Sequence, residues 1–177
     1  MLSIFKPNAK GLGHAAFFSL VADKGCVYVS IVKQSGWNNE TKKGSFRQSR
    51  EDSTKTISIK LGTFELGKII NSIERRVPAD MYHISPNGST KIGFSPRQVQ
   101  TKDGGTATQF SLSVFKSKDL SFHISFDDGE AVVLRESLKV ALTEIIKEGI
   151  NKEIQRKNSY AQNSQKQTSE ASGEDWY

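Results

Sequence analysis

Alternation of apolar and polar residues predicts strands in the first third of the chain. Segments 14–22 and 26–34 are rich in β-branched and aromatic residues, and the Asp-Lys-Gly between them predicts a hairpin turn. Segment 56–61 alternates strictly between apolar and polar residues. A short strand at Phe46 and Arg47, inside the polar stretch that precedes it, brings the number expected in this half to four.

Helical spacing follows these strands. Thr63 is the expected N-cap, Glu65 lies in the first turn, and Pro78 lies beyond the expected end of the helix. The apolar side of this first helix is expected to carry Phe64, Ile69, Ile70 and Ile73.

The second half of the chain repeats this order. Strands are predicted at 79–85, 90–98, 108–116 and 119–126, with turn signals between them. Asp127 is the expected cap of a long amphipathic helix, and Glu130 is its capping-box partner. The sequence therefore predicts an α+β protein of order ββββα-ββββα, with two four-stranded antiparallel sheets, each followed by a helix. The repeats span about residues 14–76 and 79–152 and are interpreted as a structural duplication.

The composition changes after the folded domain, which is expected to span residues 1–152. Segment 153–177 is rich in Gln, Asn, Ser, Lys and Thr, so it is predicted to be a disordered tail. The tail ends in an acidic and aromatic peptide that contains Glu174, Asp175, Trp176 and Tyr177. Because acids steer association and aromatic side chains anchor it, we expect this peptide to bind a protein partner.

The charge favours an acidic partner. The 177 residues include 25 Lys and Arg against 19 Asp and Glu, a formal net charge of +6. Segment 151–177 carries four basic and four acidic residues, so the folded part carries the whole excess. The single cysteine, Cys26, excludes a disulfide framework and a Cys-based zinc site. With no signal-peptide or membrane-span pattern, we expect a cytoplasmic protein, in the host cytoplasm if it is viral.

Candidate catalytic groups are sparse. His14, His83 and His123 have no metal-ligand spacing, and the glycine-rich segments lack the strand context of a nucleotide-binding loop. Asp127 and Asp128 form a carboxylate pair of the kind that a metal-dependent nuclease needs, but their place at a helix start favours capping. We therefore expect no enzymatic activity, no cofactor and no metal.

The outer faces of the predicted sheets carry small polar, basic and aromatic side chains. This mixture suits single-stranded nucleic acid, because aromatic rings stack on bases, hydroxyls and amides hydrogen-bond adaptably, and Lys and Arg contact phosphates. The basic stretch before the strand at 56–61 adds cations interleaved with aromatics. The candidate binding residues are Tyr28, Ser30, Trp37, Lys43, Phe46, Arg47, Lys60, Lys91, Arg97, Gln109, Phe115 and His123.

Three short segments resemble the Whirly family of single-stranded DNA-binding proteins. Residues 13–17 (GHAAF) resemble its Lys-Gly-Lys-Ala-Ala-Leu strand start, residues 59–67 (IKLGTFELG) its strand-to-helix segment, and residues 110–114 (FSLSV) its Phe-Xaa-Leu-Ser-Val strand. The resemblance covers about residues 14–150. It implies two four-stranded sheets each followed by a helix, a homotetramer with central helices, and single-stranded DNA along and between the sheets with little sequence preference.

Two features depart from the family pattern. His14 stands where the family has the second lysine of its strand start, which serves assembly beyond the tetramer, so we do not expect that assembly here. The C-terminal tail is similar instead to the acidic, aromatic-ended tails of bacterial and phage single-strand-binding proteins, which recruit replication and repair partners. Kinetoplastid guide-RNA-binding proteins share the fold and bind RNA, so the fold is compatible with either polymer. The tail favours DNA.

The sequence thus predicts a nucleic-acid-binding domain over residues 1–152. We expect a sequence-independent single-stranded DNA-binding protein of a prokaryotic or viral system, acting in replication, recombination or repair, whose tail recruits protein partners. The alternative is an RNA-binding, RNA-annealing or transcription-associated factor on the same fold.

Overall fold

The structure, a computed structural model, describes residues 2–85, 88–116 and 120–171. Its elements in chain order are β1 (Leu2–Lys6), β2 (His14–Val21), β3 (Cys26–Lys33), β4 (Gly36–Asn38), β5 (Lys43–Ser45), β6 (Thr56–Leu61), α1 (Thr63–Arg75), β7 (Ala79–Ser85), β8 (Gly88–Gln100), β9 (Thr106–Phe115), β10 (Ser121–Asp127) and α2 (Asp128–Ala171). A 3-10 turn, Ala22–Lys24, joins β2 to β3 and ends at Gly25, whose φ of 63° favours glycine.

The first sheet has the order β1-β2-β3-β6 and is antiparallel throughout. A four-stranded sheet was expected here, but its remaining strand is β1 and not a strand at Phe46 and Arg47. Ile4 points into the core at 6% exposure while Phe5 points outward at 51%, so β1 follows the same alternation as its neighbours. The first repeat therefore begins at Leu2. Strands β4 and β5 form a separate two-stranded hairpin.

The second sheet is the meander β7-β8-β9-β10, which confirms the four antiparallel strands predicted for this half. Strands β8 and β9 are longer than expected, at 13 and 10 residues, because their pairing continues past the predicted ends to Gln100 and Thr106.

Both helices begin with a side chain that caps the backbone. In α1 the cap position is Gly62 and not Thr63, and the Gly62 N–H donates to a Glu65 carboxylate oxygen over 2.6 Å. Phe64, expected on the apolar side of α1, is 87% exposed. In α2 the predicted capping box is present: the Glu130 N–H donates to Asp127 over 2.8 Å, and the Asp127 N–H donates to Glu130 over 2.9 Å.

Helix α2 continues to Ala171, where the sequence predicted a disordered tail from residue 153. No glycine or proline interrupts segment 150–171. A helix already nucleated on the core extends at little further cost, and Lys157 lies 2.8 Å from the Glu153 carboxylate one turn away. The peptide at Glu174–Tyr177, proposed to bind a protein partner, lies outside the described residues.

The inner faces of both sheets and the two helices share one apolar core. Its largest fully buried side chains include Phe94, Phe110, Phe122 and Phe126 from the second sheet and Leu66 and Leu134 from the helices. The opposite face of each sheet lies outside this core. In the part of the chain that the structure describes, neither helix has a segment long and apolar enough to cross a membrane.

Candidate nucleic-acid interface

The outer face of the second sheet carries an aromatic row at one end. The register places Lys91 opposite Tyr82 on one side and opposite Phe115 on the other, so the three side chains stand next to one another across three strands. Tyr82 is 63% exposed and Phe115 is 47% exposed. The Lys91 Nζ lies 5.7 Å from the centre of the Tyr82 ring. The row therefore presents two rings and a cation to solvent.

A chain of hydrogen-bonded polar side chains occupies the other end of this face. Arg97 donates from Nε to the Gln109 Oε1 over 2.9 Å, and its guanidinium also lies 3.4 Å from the Ser125 hydroxyl. His123 lies between two hydroxyls, with Nε2 3.1 Å from Ser125 and Nδ1 3.0 Å from Ser113. These contacts bring together Arg97, Gln109 and His123, which the sequence proposed separately.

Between these two ends the face is lined by small residues. Gly93 and Ser113 are paired in the register, and so are Ser95 and Ser111. From Lys91 to Arg97 the strand rises six residues, about 20 Å at the usual rise per residue. The face is therefore a shallow floor with aromatic rings at one end and a guanidinium at the other. Asp80 is paired with Gly93 in the register, and its carboxylate lies 3.9 Å from the Lys91 Nζ.

The outer face of the first sheet is only partly open. Tyr28 and Lys60 are paired in the register, and the hydroxyls of Ser30 and Ser58 lie 2.7 Å apart. These three candidate residues, Tyr28, Ser30 and Lys60, therefore form one small group on β3 and β6, separate from the second sheet's outer face.

Phe46 covers the other part of that face and is only 7% exposed. It packs on Ala15 and Val32, and its ring centre lies 5.8 Å from that of Phe5. Alanine, valine and phenylalanine on this side of the sheet need an apolar cover, which the segment after β5 supplies. Phe46 was expected to be exposed for stacking on bases, and that expectation is wrong because the ring belongs to a small second core.

The hairpin β4–β5 carries the remaining candidates. Trp37 is paired with Gly44 in the register and is partly buried, whereas Lys43 is exposed. Arg47 follows in the next turn and is also exposed. The contacts that the structure gives these three residues do not join them to the aromatic row or the polar chain.

Tyr82 was not among the predicted binding residues, although the alternation of residues along β7 indicates an outward side chain at this position. Met81 is buried at 2%, so alternation along β7 places its neighbour on the outer face. Ser111 is one of the small polar residues that alternation places on the outer face, but it is only 7% exposed.

The two histidines near this face are electrostatically unfavourable sites for a proton. Burial, and then the charge of Arg97, lowers the pKa of His123. Burial lowers the pKa of His14 too, with further contributions from Lys33 and His123. Both imidazoles are therefore held in the neutral form more strongly than in the unfolded chain.

We expect the protein to lose stability as the pH falls through the histidine range. In the unfolded chain both histidines titrate near their ordinary pKa of about 6.5, so around this pH the unfolded chain binds more protons than the folded protein. The stability that the neutral histidines contribute is therefore complete above that pH and is lost below it. Thermal denaturation at about pH 7.5 and about pH 5.5 should give a lower midpoint at acid pH. A His14→Gln variant should show a smaller difference between the two pH values, and an equal difference would contradict this explanation.

Within residues 2–85, 88–116 and 120–171 no group of three His, Cys, Asp or Glu side chains is arranged to hold a metal ion. Cys26 is a buried free thiol. His83, the third histidine, contacts the Glu65 carboxylate with its Nε2.

Comparison with known proteins identifies a fold relationship. No protein-family model matches the chain, and no curated protein matches it. Among solved structures, the crystal structure of WHY1 from Arabidopsis thaliana superposes with a TM-score of 0.51 at 16% sequence identity, over 99% of this chain and 94% of that one. At this identity the similarity concerns the fold. The chain therefore has the Whirly-like fold that its sequence led us to expect.

Proposed function

We propose that this protein binds single-stranded DNA with little sequence preference. The observation that carries the proposal is the aromatic row of Tyr82, Lys91 and Phe115 on the same open face as the polar chain around Arg97. Rings that stack on bases and cations that contact phosphates are the two components of single-strand binding surfaces. The Whirly-like fold agrees with this assignment as an analogy.

A single strand fits this face better than a duplex does. Stacking on Tyr82 or Phe115 needs an unpaired base with a free face, which a duplex presents only at its ends. The floor between the two ends is a flat sheet surface lined by serine and glycine, whereas reading a duplex groove needs a protruding helix or ribbon.

The same residues explain why little sequence preference is expected. Every base has a face on which an aromatic ring stacks. Serine hydroxyls donate or accept by rotating, so Ser95 and Ser113, which are partly exposed, adapt to different base edges. The binding energy then comes from stacking and phosphate contacts, which do not depend on sequence.

The alternative is RNA, and a competition experiment separates the two. Unlabelled oligo-U and unlabelled oligo-dT are added to a complex of the protein with fluorescent oligo-dT. The proposal expects oligo-dT to compete at least as well as oligo-U. A strong advantage of oligo-U would point to recognition of the 2′-hydroxyl and favour an RNA-binding or RNA-annealing factor.

Replacing Arg97 by Gln should weaken the salt dependence of binding. If the guanidinium contacts a phosphate, its loss reduces the slope of log affinity against log salt concentration by about 1, because about one counterion fewer is released on binding. Fluorescence anisotropy of oligo-dT at several salt concentrations measures the slope. Arg156→Gln, on an exposed part of α2, is the matched control and should leave the slope unchanged. Equal slopes for wild type and Arg97→Gln would contradict the phosphate contact.

We also propose that the protein acts as a homotetramer assembled through α2, without catalysing a reaction. Val133, Val140, Ile150 and Ile154 are each more than half exposed on this helix, away from the side that packs on the core. Exposed apolar residues repeated along one helix support association with further helices. Light scattering at micromolar concentration should give the mass of four chains, and a monomer mass would contradict the assembly.

The proposed biological setting is DNA replication, recombination or repair, in which the C-terminal peptide recruits other proteins. Deleting residues 170–177 should leave the affinity for oligo-dT equal or higher, because an acidic segment competes with phosphates for the basic surface. Anisotropy titration of the truncated chain beside the full chain measures this. A large loss of affinity would mean that the tail contributes directly to strand binding.

A further inference from the structure

A cleft lies between the edges of the two sheets, where β10 is beside the start of β2 and the end of β3. Its volume of about 350 Å³ is in the range of small-ligand sites. Side chains that line it include His14, Lys33, Gln34, Lys55, Ser121 and His123. An adjoining recess of about 210 Å³ shares both histidines and extends to Gln109 and Ser125. The cleft therefore begins beside the polar chain of the candidate interface.

Two lysines, Lys33 and Lys55, line the cleft. Lys33 places its Nζ 4.8 Å from the centre of the Phe122 ring, which holds the ammonium at the edge of β10. In the described part of the chain no carboxylate lines the cleft or forms a salt bridge with Lys33. Lys55 forms a salt bridge with Asp52, whose carboxylate lies 3.6 Å from the Lys55 Nζ. Among the described residues, the cleft thus brings two lysines together with no carboxylate in its lining.

One wall of the cleft is fixed by a buried amide. The Gln34 Oε1 accepts from the Asn8 N–H over 2.9 Å, and its Nε2 donates to the carbonyls of Asn8 and Gly36 over 3.0 and 2.8 Å. Gly13 lies against this amide so closely that a Cβ there would be 2.3 Å from the Gln34 Oε1. Glycine is therefore required at position 13, and its contact with the Gln34 amide fixes the backbone just before His14.

We propose that this cleft binds a phosphate group of a nucleic-acid strand, with His14, Lys33, Lys55 and His123 surrounding it. The inference rests on the proposed function and adds a defined anion site to it. Ammonium and imidazolium groups donate charge-assisted hydrogen bonds to phosphate oxygens, and the Ser121 hydroxyl adds a further donor. A strand on the outer face reaches the cleft past Ser125, so one of its phosphates enters while its bases remain on the sheet.

The two histidines make this site responsive to pH. Without an anion they are held neutral, because burial and the surrounding cations lower the pKa of each. A bound phosphate reverses the sign of the local potential and stabilises the imidazolium form, so binding takes up protons. The affinity of the strand should therefore rise as the pH falls, whereas the stability of the free protein falls.

The other charged groups around the histidines are lysines, an arginine and the carboxylates that pair with Lys6. Lys6 on β1 lies 2.5 Å from Glu130 and 3.9 Å from Asp127. The remaining cations are Arg97 on β8 and the two lysines of the cleft, Lys33 and Lys55. Among the described groups that face the cleft, His14 and His123 are consequently the ones that titrate between about pH 5.5 and about pH 7.5.

The test compares the wild-type chain with His14→Gln, which keeps a polar side chain but cannot be protonated. Anisotropy titrations with oligo-dT between about pH 7.5 and about pH 5.5 should show the wild type binding about tenfold more tightly at the acid end, since one unit of pKa shift corresponds to a tenfold change. Phosphodiesters keep their charge over this range, so the change belongs to the protein. The variant should gain less than about threefold. Circular dichroism at each pH establishes that both chains are folded.

Nuclear magnetic resonance of the histidine rings provides a second measurement on the unmodified chain. Inorganic phosphate and oligo-dT should each raise the pKa of His14 and of His123. The ring signals of His83, which contacts Glu65, should not move. Strands with a 5′-phosphate and with a 5′-hydroxyl distinguish the source of the phosphate. A shift with both identifies an internal phosphodiester, and a shift with the 5′-phosphate alone identifies the strand end.

The outcomes separate this inference from the proposed function. If oligo-dT binds with the same pH profile in both chains and leaves the His14 signals unchanged, the cleft proposal is wrong and the proposed function stands. If inorganic phosphate raises the His14 pKa but oligo-dT does not bind, the anion site stands and the proposed function is wrong.

Discussion

Replacing both Tyr82 and Phe115 by alanine should weaken the binding of oligo-dT by about a hundredfold. Each ring stands exposed in the aromatic row beside Lys91, and losing a base-stacking ring costs roughly 1–3 kcal/mol. A combined loss of about 2.7 kcal/mol corresponds to a hundredfold change in affinity. Because both side chains face solvent, their removal leaves the core unchanged. Anisotropy titration with labelled oligo-dT measures the effect.

The matched control for this pair is Phe64→Ala. Phe64 is an aromatic residue at 87% exposure, but it lies on α1 and not on the outer face of the second sheet. Its replacement should change the affinity by less than about twofold, since no stacking ring of the row is lost. An equal loss in the control, or a loss of less than about threefold in the double variant, would remove the aromatic row as a stacking surface.

Replacing Phe94 by alanine should lower the free energy of unfolding by about 3–5 kcal/mol. Phe94 is 1% exposed, and its ring centre lies 5.9 Å from that of Phe110 and 6.0 Å from that of Phe126. The substitution removes apolar area and leaves a cavity between β8, β9 and β10, which the surrounding strands close only in part. Denaturant unfolding, followed by circular dichroism, measures the loss.

Phe64→Ala serves as the control here too, since an exposed ring contributes little and the change should stay within about 0.5 kcal/mol. A loss below about 1 kcal/mol for Phe94→Ala would mean that the packing of the three rings does not stabilise the second sheet.

The second sheet was predictable because its signals are local. Strict alternation in segments such as 108–116 places Phe110, Leu112 and Val114 inside, and turn residues separate each strand from the next. The same alternation assigned Lys91, Arg97 and Phe115 to the outer face. It did not say that Lys91 stands between Tyr82 and Phe115, because the register depends on pairing between strands that are distant in sequence.

The first sheet was harder to predict because its fourth strand is short and its outer face is covered. Strand β1 has only five residues, too few for alternation alone to predict a strand. Its place in the sheet is clear from the register, in which Leu2 pairs with Phe18 and Ile4 pairs with Ala16. Phe46 lies in a polar, basic segment, which favoured an exposed position. The ring is buried instead, because it packs on the apolar side chains of Ala15 and Val32 on the outer face.

The helix beyond residue 153 differed from expectation for another reason. The polar composition of this segment favoured disorder. Composition alone, however, gives no information that the segment continues a helix already packed on the core through residues such as Leu138 and Ile145. Propagation from an existing helix is easier than nucleation of a new one, so a weak helix former extends α2 where it would not fold alone.

Preference for a single strand is tested by a side-by-side anisotropy titration with labelled oligo-dT and a duplex of the same length, at one pH and one salt concentration. The outer face of the second sheet offers stacking rings to unpaired bases and cations to phosphates, so we expect clearly tighter binding of the single strand. Equal or weaker affinity for the single strand would contradict it.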